Sequence, residues 1–432
     1  MRLLRARLLW TAIAALHVGL VHPCPSHAQR PAGVGTAEVP GQVAEPGSQL
    51  RVWLVTAGPG DAVWERYGHN AIRVLDTVTG RDVAYNWGIF DFQQVDFVSR
   101  FLRGRMLYSM VPFQAQGMLQ AYAQADREVV LQELALTPSQ RLALLEFADR
   151  NALPENRDYL YQYFLDNCST RVRDALDLVL GGALMERFGS EATGTSFRFH
   201  TRRLTQIDPL VYTGMDLLLG TPTDAPISTW DEMFLPLTLR DALRDMTVLG
   251  AAGEEQPLVI SEERLVVSTR PSEAVAPPSW FALYALIGLM LGGLMAGSAR
   301  RPVRDSRALR YVLGAVGVLW SVGAGVIGSV LALLLFTDHE FAWWNENLFL
   351  FNPLSLGLGG LILLSALNEE WRPRAYRMAL MIVGVAVLGL LWQLAPASKQ
   401  ENAIFFALAL PAHLGLAYAL RRDHADFKKP AA

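Results

Sequence analysis

The chain has 432 residues, 51% of them hydrophobic and 18% charged, with a formal net charge of -3. That apolar weight is high for a soluble chain, and the small negative charge excludes a general attraction to nucleic acid or anionic lipid. Two cysteines, Cys24 and Cys168, are too few for a disulfide framework.

The N-terminus reads as an export signal. Arg2, Arg5 and Arg7 form a positive region, an apolar run follows from Leu8 to about Val21, and Ser26-His27-Ala28 offers a small-x-small cleavage site. Residues 1–28 are therefore predicted to be a signal peptide, and cleavage after Ala28 would remove Cys24. Residues 29–49, rich in Gly, Pro, Ala and Val without periodicity, read as a flexible linker.

Residues 50–265 are long enough for one sizeable core. Leu50 to Thr56 alternates like a strand. Ala71 to Leu75 and Val83 to Trp87 flank Thr77-Val78-Thr79-Gly80 and predict a hairpin. Val95, Val98 and Leu102 before Gly104 predict a short helix. Thr137-Pro138-Ser139-Gln140 combines an N-cap, a proline at N1 and a capping-box glutamine ahead of Leu142, Leu145 and Ala148, a helix start. The aromatic run Tyr159 to Leu165 suits a strand. Val172, Ala175, Leu176, Val179 and Leu180 have helical spacing, and Gly181-Gly182 stops them. Mixed strands and helices give an α+β class.

A second linker is predicted at 266–278, and 279–432 reads as a membrane domain with spans at about 279–297, 311–336, 353–368, 378–396 and 403–420. Loop charge sets orientation. Arg300, Arg301, Arg304, Arg307 and Arg310 follow the first span; Arg372, Arg374 and Arg377 follow the third; Arg421, Arg422, Lys428 and Lys429 follow the fifth. The two intervening loops hold only Lys399. Twelve basic residues against one put the Arg-rich side inside and the N-terminal domain outside, in agreement with the signal peptide.

That partition isolates Cys168. Asp166 or Asn167 is the natural N-cap of the helix that Cys168 opens, and a helix start supplies partial positive charge and free N–H groups that favour a thiolate or an oxyanion. A thiol nucleophile needs an imidazole. His17, His22 and His27 belong to the signal, His413 to the fifth span and His424 to the tail, leaving His69, His200 and His339. His200, flanked by Arg198, Arg202 and Arg203, reads as part of a basic surface, and His339 lies in a membrane-proximal loop. His69, at the mouth of a predicted strand, is the best partner. No metal-ligand spacing, Gly-rich phosphate loop or cofactor motif appears.

Three segments carry a resemblance: Tyr67-Gly68-His69-Asn70-Ala71-Ile72-Arg73-Val74, Tyr85-Asn86-Trp87-Gly88-Ile89-Phe90-Asp91-Phe92, and Asp166-Asn167-Cys168-Ser169-Thr170. With Asp216-Leu217-Leu218-Leu219-Gly220 and Met233-Phe234-Leu235-Pro236, they resemble the Lnb N-terminal periplasmic domain family over about residues 50–250. The membrane half, with Thr337-Asp338-His339 and Asn345-Glu346-Asn347, resembles full-length Lnb-type lipoprotein N-acyltransferases. The order of His before Asn-Cys is similar to that of permuted papain-like enzymes (NlpC-type and lecithin:retinol acyltransferase-like).

The resemblance implies a permuted papain-like extracytoplasmic domain followed by a five-helix transmembrane bundle. It implies Cys168 as nucleophile and His69 as general base. If the hairpin turns around Thr79-Gly80, Phe90 and Asp91 come opposite His69 and Asn86 lies diagonally nearby, so Asn86, with Asp91 as the alternative, would orient the imidazole. Asn167, His339, Asn345 and Asn347 are candidate substrate-binding residues, and Trp343 and Trp344 read as an interfacial aromatic belt. The implied activity moves an acyl chain from a phospholipid donor, through a cysteine thioester, to the amine of a lipoprotein acceptor, among membrane lipids of the bacterial inner membrane. The alternatives are a membrane-anchored thiol hydrolase acting on peptide or cell-wall material, and a non-catalytic scaffold with a packed cysteine.

Overall fold

The computed structural model describes residues 45–250, 253–299, 306–396, 398 and 400–421. The predicted signal peptide, most of the first linker, Arg300, Arg301, Arg304 and the basic tail beyond Arg421 lie outside the described residues.

A seven-stranded sheet forms the N-terminal half. Its members are β1 (Leu50–Ala57), β2 (His69–Asp76), β3 (Asp82–Ile89), β4 (Leu107–Gln114), β5 (Val129–Leu134), β6 (Asp158–Leu160) and, from the domain's far end, Val259–Val266. Two short ribbons lie between: β7 (Ala192–Ser196) with β8 (Pro226–Ser228), and β9 (Thr247–Leu249) with β10 (Glu255–Pro257), which makes Val259–Val266 β11. The order is β11-β5-β1-β2-β3-β4-β6, with every pairing antiparallel. Because β1 is central, both its faces are covered and only Arg51 is exposed, which blurs its alternation in the sequence.

The helices of this half are α1 (Phe97–Arg103), α2 (Ala115–Gln124), α3 (Pro138–Asn151), α4 (Cys168–Val179), α5 (Ala183–Phe188), α6 (Phe197–Thr205), α7 (Pro209–Leu218), α8 (Thr229–Glu232) and α9 (Pro236–Arg244). Leu50, Val52, Leu54, Ile72, Val74, Tyr85 and Trp87 face Leu144 and Ala148 of α3, Val172, Ala175 and Leu176 of α4, and Leu239 and Leu243 of α9. Each fully buried Val or Leu there contributes about 1.5–3 kcal/mol. The other face, with Trp53, Val55, Ala71 and Leu131, is covered by Leu119 of α2. The α3 start follows its sequence: Thr137 Oγ1 accepts the Gln140 N–H at 3.3 Å, and Gln140 Oε1 accepts the Thr137 N–H at 2.9 Å.

Three expectations need correction. The aromatic run is not one strand, because β6 ends at Leu160 and Gln162 Oε1 accepts the N–H groups of Phe164 and Leu165, folding a turn. The β2–β3 register pairs Ile72 with Tyr85, two residues away from the expected one, because Asp76 caps the turn by accepting Val78 and Thr79 N–H. The predicted linker 266–278 is held against the domain: Ser268 and Thr269 bond Asp126, and Glu273 pairs with Arg203 at 2.8 Å.

The C-terminal half contains α10 (Phe281–Gly297), α11 (Arg307–Leu334), α12 (Leu354–Leu367), α13 (Arg372–Trp392) and α14 (Ala403–Leu420). Five spans were expected; among the described residues four segments, Gly314–Leu334, Glu346–Leu367, Glu369–Trp392 and Ala403–Leu420, are long and apolar enough to cross a membrane. The fifth helix, α10, has 17 residues, about 26 Å at 1.5 Å per residue. That length is at the lower limit of the roughly 17–25 residues that span a hydrocarbon core of about 30 Å. It lies close along α14, with Gly288 and Gly292 against the backbone of Ala407, Leu408 and Pro411.

The two halves interlock. Leu217 of α7 packs into the core of the helical bundle with Tyr284, Leu350 and Phe405, while Phe341 from the loop after α11 packs among Phe164, Phe197 and Phe234. Gly220 N–H donates to Phe341 O at 2.7 Å, and a side chain at Gly220 would collide with Trp343 O, so glycine permits this approach. Arg198, with no exposed side-chain surface, pairs with Asp216 and Asp224, each at 2.7 Å; Arg202 continues to Glu401. The expected basic surface is therefore a buried ionic joint. His200 within it is also buried, between Glu232 at 2.7 Å and Arg203.

Candidate active site

Cys168 occupies the first position of α4 and is half-buried. Asn167 is the N-cap: its Oδ1 accepts the N–H groups of Ser169 at 2.8 Å and Thr170 at 3.0 Å, and Thr170 Oγ1 accepts the Asn167 N–H at 2.7 Å. Two helix-start donors are thereby used, and the N–H groups of Asn70, Ser169 and Cys168 itself favour negative charge on the sulfur.

Gly88 explains how the thiol reaches the sheet. A Cβ at Gly88 would lie 3.1 Å from Cys168 Cβ, and its φ of +87° sits in the region that favours glycine. A bulge in the β3–β4 pairing between Asn86 and Ile89 bends the strand at this point. Extending the Ile72–Tyr85 register by three residues puts Gly88 opposite His69 and Asn86 on the diagonal, on one face. His69 Nε2 lies 3.1 Å from Asn86 Oδ1, and Asn86 Nδ2 donates to Ala84 O at 2.9 Å. That second bond orients the amide so that Oδ1 accepts from Nε2–H, leaving Nδ1 as the imidazole's free acceptor.

The motifs after the cysteine form the back wall. Ser169 Oγ donates to Met233 O at 2.6 Å, and Asn167 Nδ2 donates to Phe234 O at 3.0 Å. Asn70 Nδ2 donates to Ser169 Oγ and Pro236 O, while Thr56 Oγ1 donates to Asn70 Oδ1. These buried bonds fix β2, α4 and the Met233–Pro236 segment relative to one another.

Electrostatics corrects the expected thiolate. Burial pushes the Cys168 thiol up, outweighing the Asn70 N–H, the positive charge of Arg127 and the local N–H groups. Burial, with Arg127 adding to it, brings His69 down to about 4 against the opposing bond from Asn86. At neutral pH both groups are therefore uncharged, a thiol and a neutral imidazole. Alkylation of Cys168 by iodoacetamide is expected to accelerate with pH up to and beyond about 8.5, the ordinary thiol value. A plateau reached below pH 7 would reveal a standing thiolate–imidazolium pair instead.

Four tyrosines surround the thiol. Tyr108, Tyr122, Tyr159 and Tyr161 are each raised, chiefly by burial, and each also feels charge at Cys168. The Tyr122 ring lies 6.4 Å from His69 and carries Arg127 Cζ 4.9 Å over its face. Sequence reasoning missed Arg127. Its guanidinium is buried, bonds Gly58 O at 2.8 Å, and leaves Nη2 without a partner among the described residues. A buried arginine has no local sequence signature.

Other candidates lie elsewhere. Asp91 is exposed, and its carboxylate accepts the Gln93 N–H at 2.7 Å; with the register shifted it is not opposite His69. Asn167 is buried, with both ends of its amide used within the fold. Asn345 Nδ2 donates to the carbonyls of Leu217, Leu218 and Leu219, which end α7. Asn347 Nδ2 donates to Leu217 O, and its Oδ1 accepts from Asn402. Both asparagines are buried and cap a helix of the other half, so the geometry gives them an interdomain structural part in place of substrate binding. His339 Nε2–H donates to Phe101 O at 2.8 Å. Beside this joint a cavity of about 650 Å³ is lined by Thr221, Leu335, Trp344, Asn345, Phe349 and Trp392, among others. Among the described residues no cluster of His, Cys, Asp and Glu is arranged to hold a metal.

The fold and this cluster define a membrane protein whose α+β domain carries a half-buried cysteine, a histidine and a buried asparagine around Gly88 and is locked onto a helical bundle. Residues 44–204 match the Lnb N-terminal periplasmic domain, and residues 287–424 match the Lnb transmembrane domain. The chain belongs to the Lnb family, and its N-terminal domain is the periplasmic one. No curated protein and no solved structure matches it.

Proposed function

We propose that this protein is a thiol acyltransferase that moves a fatty acyl group from a phospholipid, through a thioester on Cys168, to the N-terminal amine of a lipoprotein. The observation that carries the reading is the cluster itself: a helix-start cysteine against Gly88, with an imidazole on the neighbouring strand whose far nitrogen is bonded to a buried amide. The substrates follow from the family, and the interlocked bundle fits them, because it keeps the thiol at a constant place relative to the membrane. The arginines between α10 and α11 and in the opening turns of α11 and α13, with the basic tail, support a periplasmic domain with a cytoplasmic C-terminus.

In the first half-reaction His69 Nδ1 takes the thiol proton as Sγ attacks the ester carbonyl carbon; the C–S bond forms while the oxyanion draws on the Cys168 N–H. The ester C–O bond then breaks, and His69 returns its proton to the departing lysophospholipid oxygen. In the second half-reaction the amine nitrogen attacks the thioester, C–N forms, C–S breaks, and the amine's proton returns to sulfur by way of His69. Asn86 holds the imidazole in the required tautomer.

Mass spectrometry of lipoprotein N-termini tests this in cells that rely on this gene alone for N-acylation. N-acylated forms are expected with the unsubstituted protein and are expected to vanish with Cys168→Ala at equal protein level. Their persistence with Cys168→Ala would rule the mechanism out. Release of free fatty acid without acylated amine would indicate a hydrolase.

A further inference from the structure

A run of aromatic rings leads from the thiol toward the membrane half. Tyr161 and Tyr108, beside Cys168, stack with centroids 3.9 Å apart. Phe90, two residues after Gly88, lies 4.9 Å from Tyr108 and 5.5 Å from Phe97. Phe97 stacks on Phe101 at 6.4 Å, and Phe101 lies 6.4 Å edge-on to His339. Phe92 flanks the run, 4.6 Å from Phe90.

Two properties set this strip apart from a core. First, it is open: Phe92 is 53% and Phe101 54% exposed, and neighbouring Val95 and Val98 more so. A contiguous apolar strip of this kind is costly to leave in water and marks a surface that meets apolar matter. Second, its far end is joined to the membrane half. Asp338 N–H donates to Arg103 O at 2.8 Å, and His339 Nε2–H donates to Phe101 O at 2.8 Å. The strip therefore runs from the loop that follows the membrane-crossing helix α11 to the nucleophile.

We infer that this strip is an acyl-chain track, which holds the fatty chain of the donor phospholipid between the bilayer surface and Cys168. The inference rests on the acyl-transfer reading and adds to it where the chain lies. Aromatic faces in series suit a flexible hydrocarbon, since they offer contact area along its length without demanding polar partners. Chain-length preference would then be set by the rings from Phe90 to Phe101, away from the reacting atoms.

The test uses the full-length protein in lipid nanodiscs containing a phosphatidylethanolamine with a diazirine near the ester end of its acyl chain. Photolabelling is expected at the inner rings, Phe90, Tyr108 and Tyr161, as well as at Phe101, and in Cys168→Ala too. Labelling confined to the region around Phe101 would make the strip a membrane anchor and overturn the track. Labelling of the inner rings by a diazirine lipopeptide alone would overturn the assignment to the donor. A kinetic arm compares Cys168 thioester formation from p-nitrophenyl palmitate and p-nitrophenyl butyrate. In Phe97→Ala the palmitate-to-butyrate ratio is expected to fall about tenfold, and an unchanged ratio overturns the track while leaving the thiol chemistry standing. If neither ester acylates Cys168 in the unsubstituted protein, the acyl-transfer reading fails, and the photolabel still decides the track.

Discussion

His69→Ala is expected to lower acyl transfer by about a thousandfold, because no other described group stands ready to take the Cys168 proton. The loss should be this large because the thiol is raised by burial and stays protonated at neutral pH unless a base relieves it. Asn86→Ala should cost less, on the order of a hundredfold, since the imidazole remains while its tautomer is no longer held. The pair can be separated by pH. Without His69, activity should climb with hydroxide as the thiol ionises by itself; without Asn86, the lower limb of the pH–rate profile should move down, because the lost bond is the one raising the imidazole's proton affinity. Single-turnover thioester formation on Cys168, followed by intact mass, measures both. A His69→Ala protein within tenfold of the unsubstituted rate would remove the imidazole from the mechanism.

The second large effect concerns stability. Arg198→Met should destabilise the protein by about 3–5 kcal/mol, because it leaves Asp224 charged and buried without its guanidinium and Asp216 with Arg202 alone. The same guanidinium also donates to the carbonyls of Asp216, Leu219 and Gly220, so the end of α7 and its bond to the Phe341 loop loosen together. Arg187→Met is the control: its pair with Glu191 is exposed at both ends and should be worth less than about 1 kcal/mol. Denaturant unfolding of the purified protein in detergent compares the two. Equal shifts would mean that the buried network contributes no more than a surface pair.

These contrasts show where the sequence was legible. The helix of α3 was readable because Thr137, Pro138 and Gln140 act within four residues of one another. The cysteine helix was readable for the same reason, from Asn167 at its start to the glycines at its end. Cys168 and His69 emerged because compartment left few candidates, and compartment is written in hydropathy and loop charge. Asn86 was favoured over Asp91 on an assumed register that proved two residues out; it meets His69 because it stays on the same face, whereas Asp91 turns away into a local cap.

The asparagines of the membrane loop and the arginines around His200 were misread for one reason. A polar residue in a loop looks exposed in a sequence, yet Asn345, Asn347 and Arg198 bond to partners more than 15 residues away. Hydropathy, caps and charge bias are local and summed along the chain, so the amino-acid sequence by itself determined the α+β domain and the apolar helices and singled out Cys168 and His69 as candidates. Strand register, the approach that Gly88 permits, the net rise of the thiol and the interlocking of the two halves depend on what lies across space. Burial and distance set those, and only the tertiary structure decided them.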